Sequence, residues 1–232
     1  MTVVLSLVTA DGVVIASDSQ ITDRDHGLSY PAQKLHDLGQ HAAWGGSGAR
    51  AVLNDVERCF SEEHDAIVQA PVVAHALQER VLPILRHHYE HFIADVPGEQ
   101  TTQSPSAYVL AAGHSRGRPW IVEVNPNGMA THYEDVGFHA IGSGAAMAQQ
   151  AGTLLSHFRV TERSVEHGVV AAVRVLDALT VTSPSVGWPI DVCRITEDDG
   201  AHHLGDDEID DVRAHVHRWR DLEQKALDDL FS

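Results

Sequence analysis

Two nearly unbroken β-branched and apolar runs open the chain, residues 2–9 and 13–18, with only "ADG" between them. A strand with one wet face alternates apolar and polar residues, whereas a run without alternation belongs to a strand covered on both faces. The chain therefore begins with a hairpin that needs a layer packed on each side. The hairpin loop can close in two ways. A two-residue turn at Asp11-Gly12 puts Thr2 and Asp18 on opposite faces. A three-residue "ADG" loop with Gly12 left-handed pairs residue 4 with residue 18 and puts them on one face. Glycine in third place favours the second.

The remaining segments supply the layers. Residues 19–32 read as a loop, and "QKLHDL" with "HAAWGG" as a second, weaker strand pair. From Ala49 to Val68 the apolar spacing turns helical, with Val52, Val56, Cys59, Phe60 and Ile67 on the buried side. A second helix follows over 71–95, with Pro71 at its start and Pro83 as a kink. Strands return in "SAYVLAAG", "PWIVEVN", "MATHYE" and "FHAIGS". Helices cover about 144–157 and 163–180, then "PIDVCRIT" turns at "EDDG" into a short partner strand. A last helix starts near Asp206, with Ile209, Val212, Val216, Trp219, Leu222 and Leu227 at helical spacing, and Trp219 and Phe231 placed to pack on the body or on a neighbouring subunit. Doubly covered strands and paired helices in this order predict an α+β fold, a four-layer αββα sandwich. At 232 residues this is one domain, 1–232, with an extended C-terminal helix from about 206.

Composition narrows the function classes. A formal charge of -17 excludes the basic surface that nucleic acid or an anionic membrane requires. No apolar run approaches the ~20 residues that span a bilayer, and no secretory leader is evident, so a cytoplasmic protein is expected. The two cysteines, Cys59 and Cys193, read as reduced core thiols. Seventeen histidines invite a metal reading. His87 and His91 have the i, i+4 spacing, but no third ligand is in view, and neither metal nor cofactor is assigned.

Three residues carry chemistry. A threonine hydroxyl is a weak nucleophile until a base takes its proton. If Met1 is removed, Thr2 brings its own base, an α-amine of pKa about 7.7–8.0, neutral in part near pH 7. The chain has 14 arginines and only two lysines, Lys34 and Lys225. A buried lysine is a compact charge that can depress the pKa of a neighbouring amine or hydroxyl. It needs a counter-charge, and Asp18 is the candidate. Taken singly, each residue has an ordinary explanation as second residue, strand end or loop.

Taken together, Thr2, Asp18 and Lys34 resemble the proteasome β-type family of N-terminal-nucleophile hydrolases, in which an acidic residue lies sixteen positions after the catalytic threonine and a lysine sixteen beyond that. The resemblance extends over most of the chain. "DGVVIASDSQIT" is similar to the family's second strand, with Thr22 matching a threonine that holds substrate backbone. "WGGSGARAV" is similar to its glycine-rich strand end, which implies the Gly45 N–H as oxyanion donor, or Gly46 with the alignment shifted by one. "AIGSGAAMA" implies Ser143 beside the threonine amine. Loose alignment adds Ile21, Ala43, His36 and Ser47 to the substrate pocket. One segment departs: "SPSVGWPIDV" puts Ser183 and Val186 where the peptidases carry Asp and Ser, and Trp188 where they carry glycine.

The resemblance implies a threonine-type endopeptidase acting on polypeptides after loss of Met1 alone. It also implies a self-compartmentalising homo-oligomeric ring with contacts through helices 144–180, and an ATP-driven unfoldase as a partner. The departure motivates two alternatives, a non-catalytic shell subunit and an N-terminal-nucleophile amidase of small molecules.

Overall fold

The computed structural model describes residues 2–23, 28–94, 104–183 and 186–231. The opening hairpin is β1 (Val3–Val8) and β2 (Gly12–Asp18), and both strands are buried along nearly their whole length. Odd residues of β1 face one way, with Val3, Leu5 and Leu7 in the outer core. Val4 faces the other sheet.

The register corrects the expected loop. Val4 pairs with Ser17 and Val8 with Val13, so the turn is centred on Ala10-Asp11, and Gly12 is not left-handed. Gly12 is needed for another reason: a Cβ there would run into the Ile195 carbonyl oxygen of the neighbouring strand. Face parity therefore separates Thr2 from Asp18. Asp18 comes next to Thr2 because it is the last residue of β2, one step beyond the Val4–Ser17 pair, and its carboxylate accepts from the Val3 N–H of the neighbouring strand at 2.9 Å.

The segment read as a loop after β2 contains a ribbon, β3 (Gln20–Asp23) with β4 (Leu28–Pro31), in which Ile21 faces Tyr30 across the pair. Then come β5 (Leu35–Asp37) and β6 (Ala42–Gly48), the helices α1 (Arg50–Val68) and α2 (Val73–Glu90), and the strands β7 (Ala107–Ser115), β8 (Arg118–Val124), β9 (Ala130–His132) and β10 (Phe138–Gly142). Pro83 falls within α2, while Pro71 lies outside it. The chain continues with α3 (Ala145–Leu155), α4 (Val165–Thr182), β11 (Ile190–Thr196), β12 (Gly200–His203) and α5 (Asp206–Asp229).

Two antiparallel five-stranded sheets result, ordered β10-β1-β2-β11-β12 and β5-β6-β7-β8-β9. Three apolar cores glue four layers. Val4, Ile15, Leu35, Ala43, Leu110 and Ile195 fill the space between the sheets. Trp44, Val52, Val56, Phe60 and Leu77 hold α1 and α2 on one outer face. Val3, Leu5, Val173, Leu176 and Val192 hold α3 and α4 on the other. At about 25 cal/mol per Å² of apolar area, such burial is the dominant favourable term.

Along α5 the packing is thinner than its spacing suggests. Ile209 and Val216 are buried and Trp219 packs edge-on against Phe158. Leu222, Leu227 and Phe231 are exposed, so Phe231 does not pack on the body of the sandwich. Both thiols are free, and Cys193 is fully buried in β11. Among the described residues no helix is long and apolar enough to cross a membrane.

Candidate active site

The site lies where β1 begins, at one end of the space between the sheets. Asp18 is fully buried and both its oxygens are engaged. Oδ1 accepts from the Lys34 ammonium at 2.8 Å and from the Val3 N–H at 2.9 Å; Oδ2 accepts from the Gln20 N–H at 3.2 Å. The ammonium donates a second bond to the Gln20 carbonyl at 2.7 Å. Lys34 is thus one carboxylate oxygen away from the peptide that follows Thr2, with only 6% of its side chain exposed.

Burial is the largest influence on this ammonium and pulls its pKa below the usual 10.5; the charges of Asp18 and, from β11, Asp191 act against it. Asp191 is itself held by the Ser19 hydroxyl at 3.0 Å. A lysine with a loosened proton and a fixed position can stabilise an adjacent alkoxide or lower the pKa of an adjacent amine.

On the other side of Thr2, its nitrogen donates to the Ser143 hydroxyl oxygen at 3.3 Å, and its carbonyl accepts from Ser143 Oγ and Gly144 N, both at 3.5 Å. The turn that allows this depends on Gly142, which has φ of +94° and lies against the Thr2 carbonyl, where a Cβ would collide.

A cleft of about 390 Å³ opens from Thr2. Ile21, Lys34, His36 and Trp44 line it together with Gly46, Ser47 and Gly48. From α1 come Arg50, Leu53, Asn54 and Glu57. The expected residues Thr2, Lys34, Ile21, His36 and Ser47 therefore meet at one cavity, with Asp18 and Ser143 bonded to its edge. Thr22 belongs to β3, and its side chain lies outside the described residues.

Two expected residues lie elsewhere. Ala43 is fully buried between the sheets and does not line the cleft, because alternation along β6 sends Trp44 and Gly46 to the cleft side and residues 43 and 45 to the inter-sheet core. Gly45 stands opposite both Leu35 of β5 and Leu110 of β7, so its backbone belongs to the ladder. From Gly46 onward β6 runs past the end of β5 and is paired only with β7. An unpaired backbone edge thus faces the cleft at Gly46–Gly48.

Within the departing segment, Trp188 is half-buried and Pro189 exposed. Ser183 and Val186 are buried, and Val186 lies in the outer core beside Gly144. Ser185 lies outside the described residues. Sequence reasoning passed over Asp191, Arg50, Asn54 and Glu57. The last three stand at i, i+4 and i+7, which marks one helix face, but only the tertiary fold decides that this face borders the cleft.

The Proteasome subunit family model matches residues 2–195. The chain belongs to the proteasome subunit family. None of the curated proteins matches it. Among solved structures it is similar to the Gly-1 mutant of Anbu from Hyphomicrobium sp. strain MC1, with TM-score 0.73, 17% identity and full coverage of both chains. It is likewise similar to Anbu of Yersinia bercovieri, described as an ancestral beta-subunit, with TM-score 0.70 and 15% identity over 99% of this chain and 96% of that one. At such identities the likeness is one of fold, that of the N-terminal-nucleophile hydrolases. β12 and α5 lie wholly beyond the family match.

Proposed function

We propose that this proteasome-family chain is a threonine-type peptidase whose nucleophile is Thr2, freed by removal of Met1. The observation that carries the proposal is the buried Lys34–Asp18 pair, tied through one carboxylate oxygen to the peptide after Thr2. A silent subunit has little reason to keep it, since a buried ion pair is costly to desolvate and commonly no more stabilising than apolar residues of the same size.

In the proposed reaction Thr2 Oγ attacks the substrate carbonyl while its proton passes to the α-amine. The Lys34 ammonium lowers the pKa of the nucleophile. The developing oxyanion is met by the backbone at Gly46, one residue on from Gly45, where β6 has its free edge. Collapse breaks the C–N bond, the α-amine returns the proton to the leaving amine, and an ester on Thr2 remains. Water, deprotonated by the same amine, then hydrolyses the ester and restores the hydroxyl. Ser143 holds the nitrogen in place at 3.3 Å.

By family likeness the subunits assemble into a homo-oligomeric ring, with α3 and α4 as contact candidates, and act on polypeptides in the cytoplasm, fed by an ATP-driven unfoldase. Val186 favours one competing reading, a non-catalytic shell subunit, because an apolar core residue stands where the peptidases carry a hydroxyl. Hydrolysis of an unfolded protein and of fluorogenic peptides by wild type, Thr2→Ala and Lys34→Ala separates the two. The peptidase reading expects turnover in wild type alone. Turnover by none favours the shell, and turnover of small amides only favours a small-molecule amidase.

A further inference from the structure

Arg50 and Glu57 sit about 10 Å apart along one face of α1 at 1.5 Å per residue, and the cleft runs between them. The Arg50 end is the Thr2 end: Ser47 Oγ and the Thr2 carbonyl flank the same glycine, Gly142. The Glu57 end lies beside His36, whose Nδ1 is 3.4 Å from Glu57 Oε1 and whose ring stacks on Trp44 at 4.9 Å. His36 is two residues beyond Lys34, or about 7 Å in extended chain. A lysine or arginine side chain, with its three- or four-carbon stem, reaches about that far.

The far end is anionic. Burial holds the His36 imidazole below the ordinary histidine range, against the opposing charges of Glu57, Asp191 and Asp37 and with help from His203. At pH 7 His36 is therefore neutral, and among the described residues Glu57 has no other ion-pair partner. At the near end, Arg50 repels a cationic head that stops short. An apolar stem along Ile21, Leu53 and the His36 ring with a charged head at the half-exposed Glu57 suits an amphipathic cation. The net charge of -17 draws cationic peptides as well.

Resting on the peptidase reading above, we propose that the cleft selects lysine or arginine on the acyl side of the scissile bond, with Glu57 as the specificity-determining residue. Three peptide vinyl sulfones identical except for arginine, leucine or glutamate at that position test it, with labelling rates read by intact mass on wild type, Glu57→Gln and Glu57→Arg. The arginine probe should label wild type about fivefold faster than the leucine probe, the range a half-exposed charge pair allows. Glu57→Gln should bring the ratio near one, and Glu57→Arg should turn the preference toward glutamate. Equal or faster labelling of wild type by the leucine or glutamate probe overturns the specificity and leaves the peptidase reading standing, and this holds even if a variant fails to fold. A ratio kept intact in Glu57→Gln overturns the role of that residue. No labelling by any probe overturns the peptidase reading itself, and the specificity with it.

Discussion

Asp18→Asn is the perturbation that weighs the buried pair most directly. The substitution keeps the shape and one acceptor oxygen but leaves the Lys34 ammonium, only 6% exposed, without its carboxylate. Breaking a buried pair from one side costs about 3–5 kcal/mol. The ammonium has one escape, which is to lose its proton. With an ordinary pKa of 10.5, deprotonation at pH 7 costs about 5 kcal/mol at 1.36 kcal/mol per pH unit, which caps the loss. In the variant the folded state then binds fewer protons than the unfolded state between the depressed pKa and the ordinary one, so stability rises with pH in that window. Urea unfolding at pH 7 and pH 9.5 should show a deficit of about 3–5 kcal/mol that shrinks by more than half at the higher pH. If the variant does not fold, Asp18→Asn with Lys34→Met should restore folding, because the unpaired charge is gone. A deficit under about 1 kcal/mol at pH 7, the size expected of an exposed pair, or one that ignores pH, refutes the buried ammonium.

Gly142→Ala forces a side chain onto the Thr2 carbonyl at a left-handed φ; it should cost about 1–3 kcal/mol and slow labelling of Thr2 by an electrophile, and an unchanged labelling rate contradicts the placement. His36→Gln should flatten the loss of thermal stability as pH falls. The wild-type imidazole is held below its usual 6.5 when folded, so the unfolded chain takes up the proton first and stability drops on the way down through that value. Identical slopes in the two proteins would remove burial of His36 as the cause. For the thiols, burial pushes Cys193 up to about 12, so the native protein should react with a disulfide reagent at Cys59 alone, slowly, and at both cysteines in denaturant. Two fast native thiols contradict the core.

The layer order was legible in the sequence because it depends on local periodicity: unbroken apolar runs for β1 and β2, and 3.6-residue spacing for α1. The clustering of Asp18 and Lys34 at the start of β1 was legible through their offsets from Thr2. What failed depends on contacts distant in sequence. From its neighbours Gly12 reads as a left-handed turn residue, yet it is small to admit the Ile195 carbonyl, 183 residues away in the chain. The β3–β4 ribbon has the sequence of a loop, because strands of four residues between Asp, Gly and Pro carry no alternation; they are aligned instead by bonds such as Lys34 Nζ to the Gln20 carbonyl and Ala32 N–H to the Ser19 carbonyl. Ala43 reads as a pocket residue, yet one step of strand parity puts it on the inter-sheet face, and of the two oxyanion candidates Gly45 is held in the ladder while Gly46 lies past the end of β5. Glu57 was invisible as a cleft residue, since nothing in a charged helix face says what lies opposite.

The decisive measurement is the mass of the N-terminal peptide of the purified protein before and after treatment with a β-lactone. A peptide that begins at Thr2 and gains one acyl group on that residue, with no adduct in Thr2→Ala, is the predicted result. A retained Met1, or acylation at any other residue with Thr2 untouched, contradicts it.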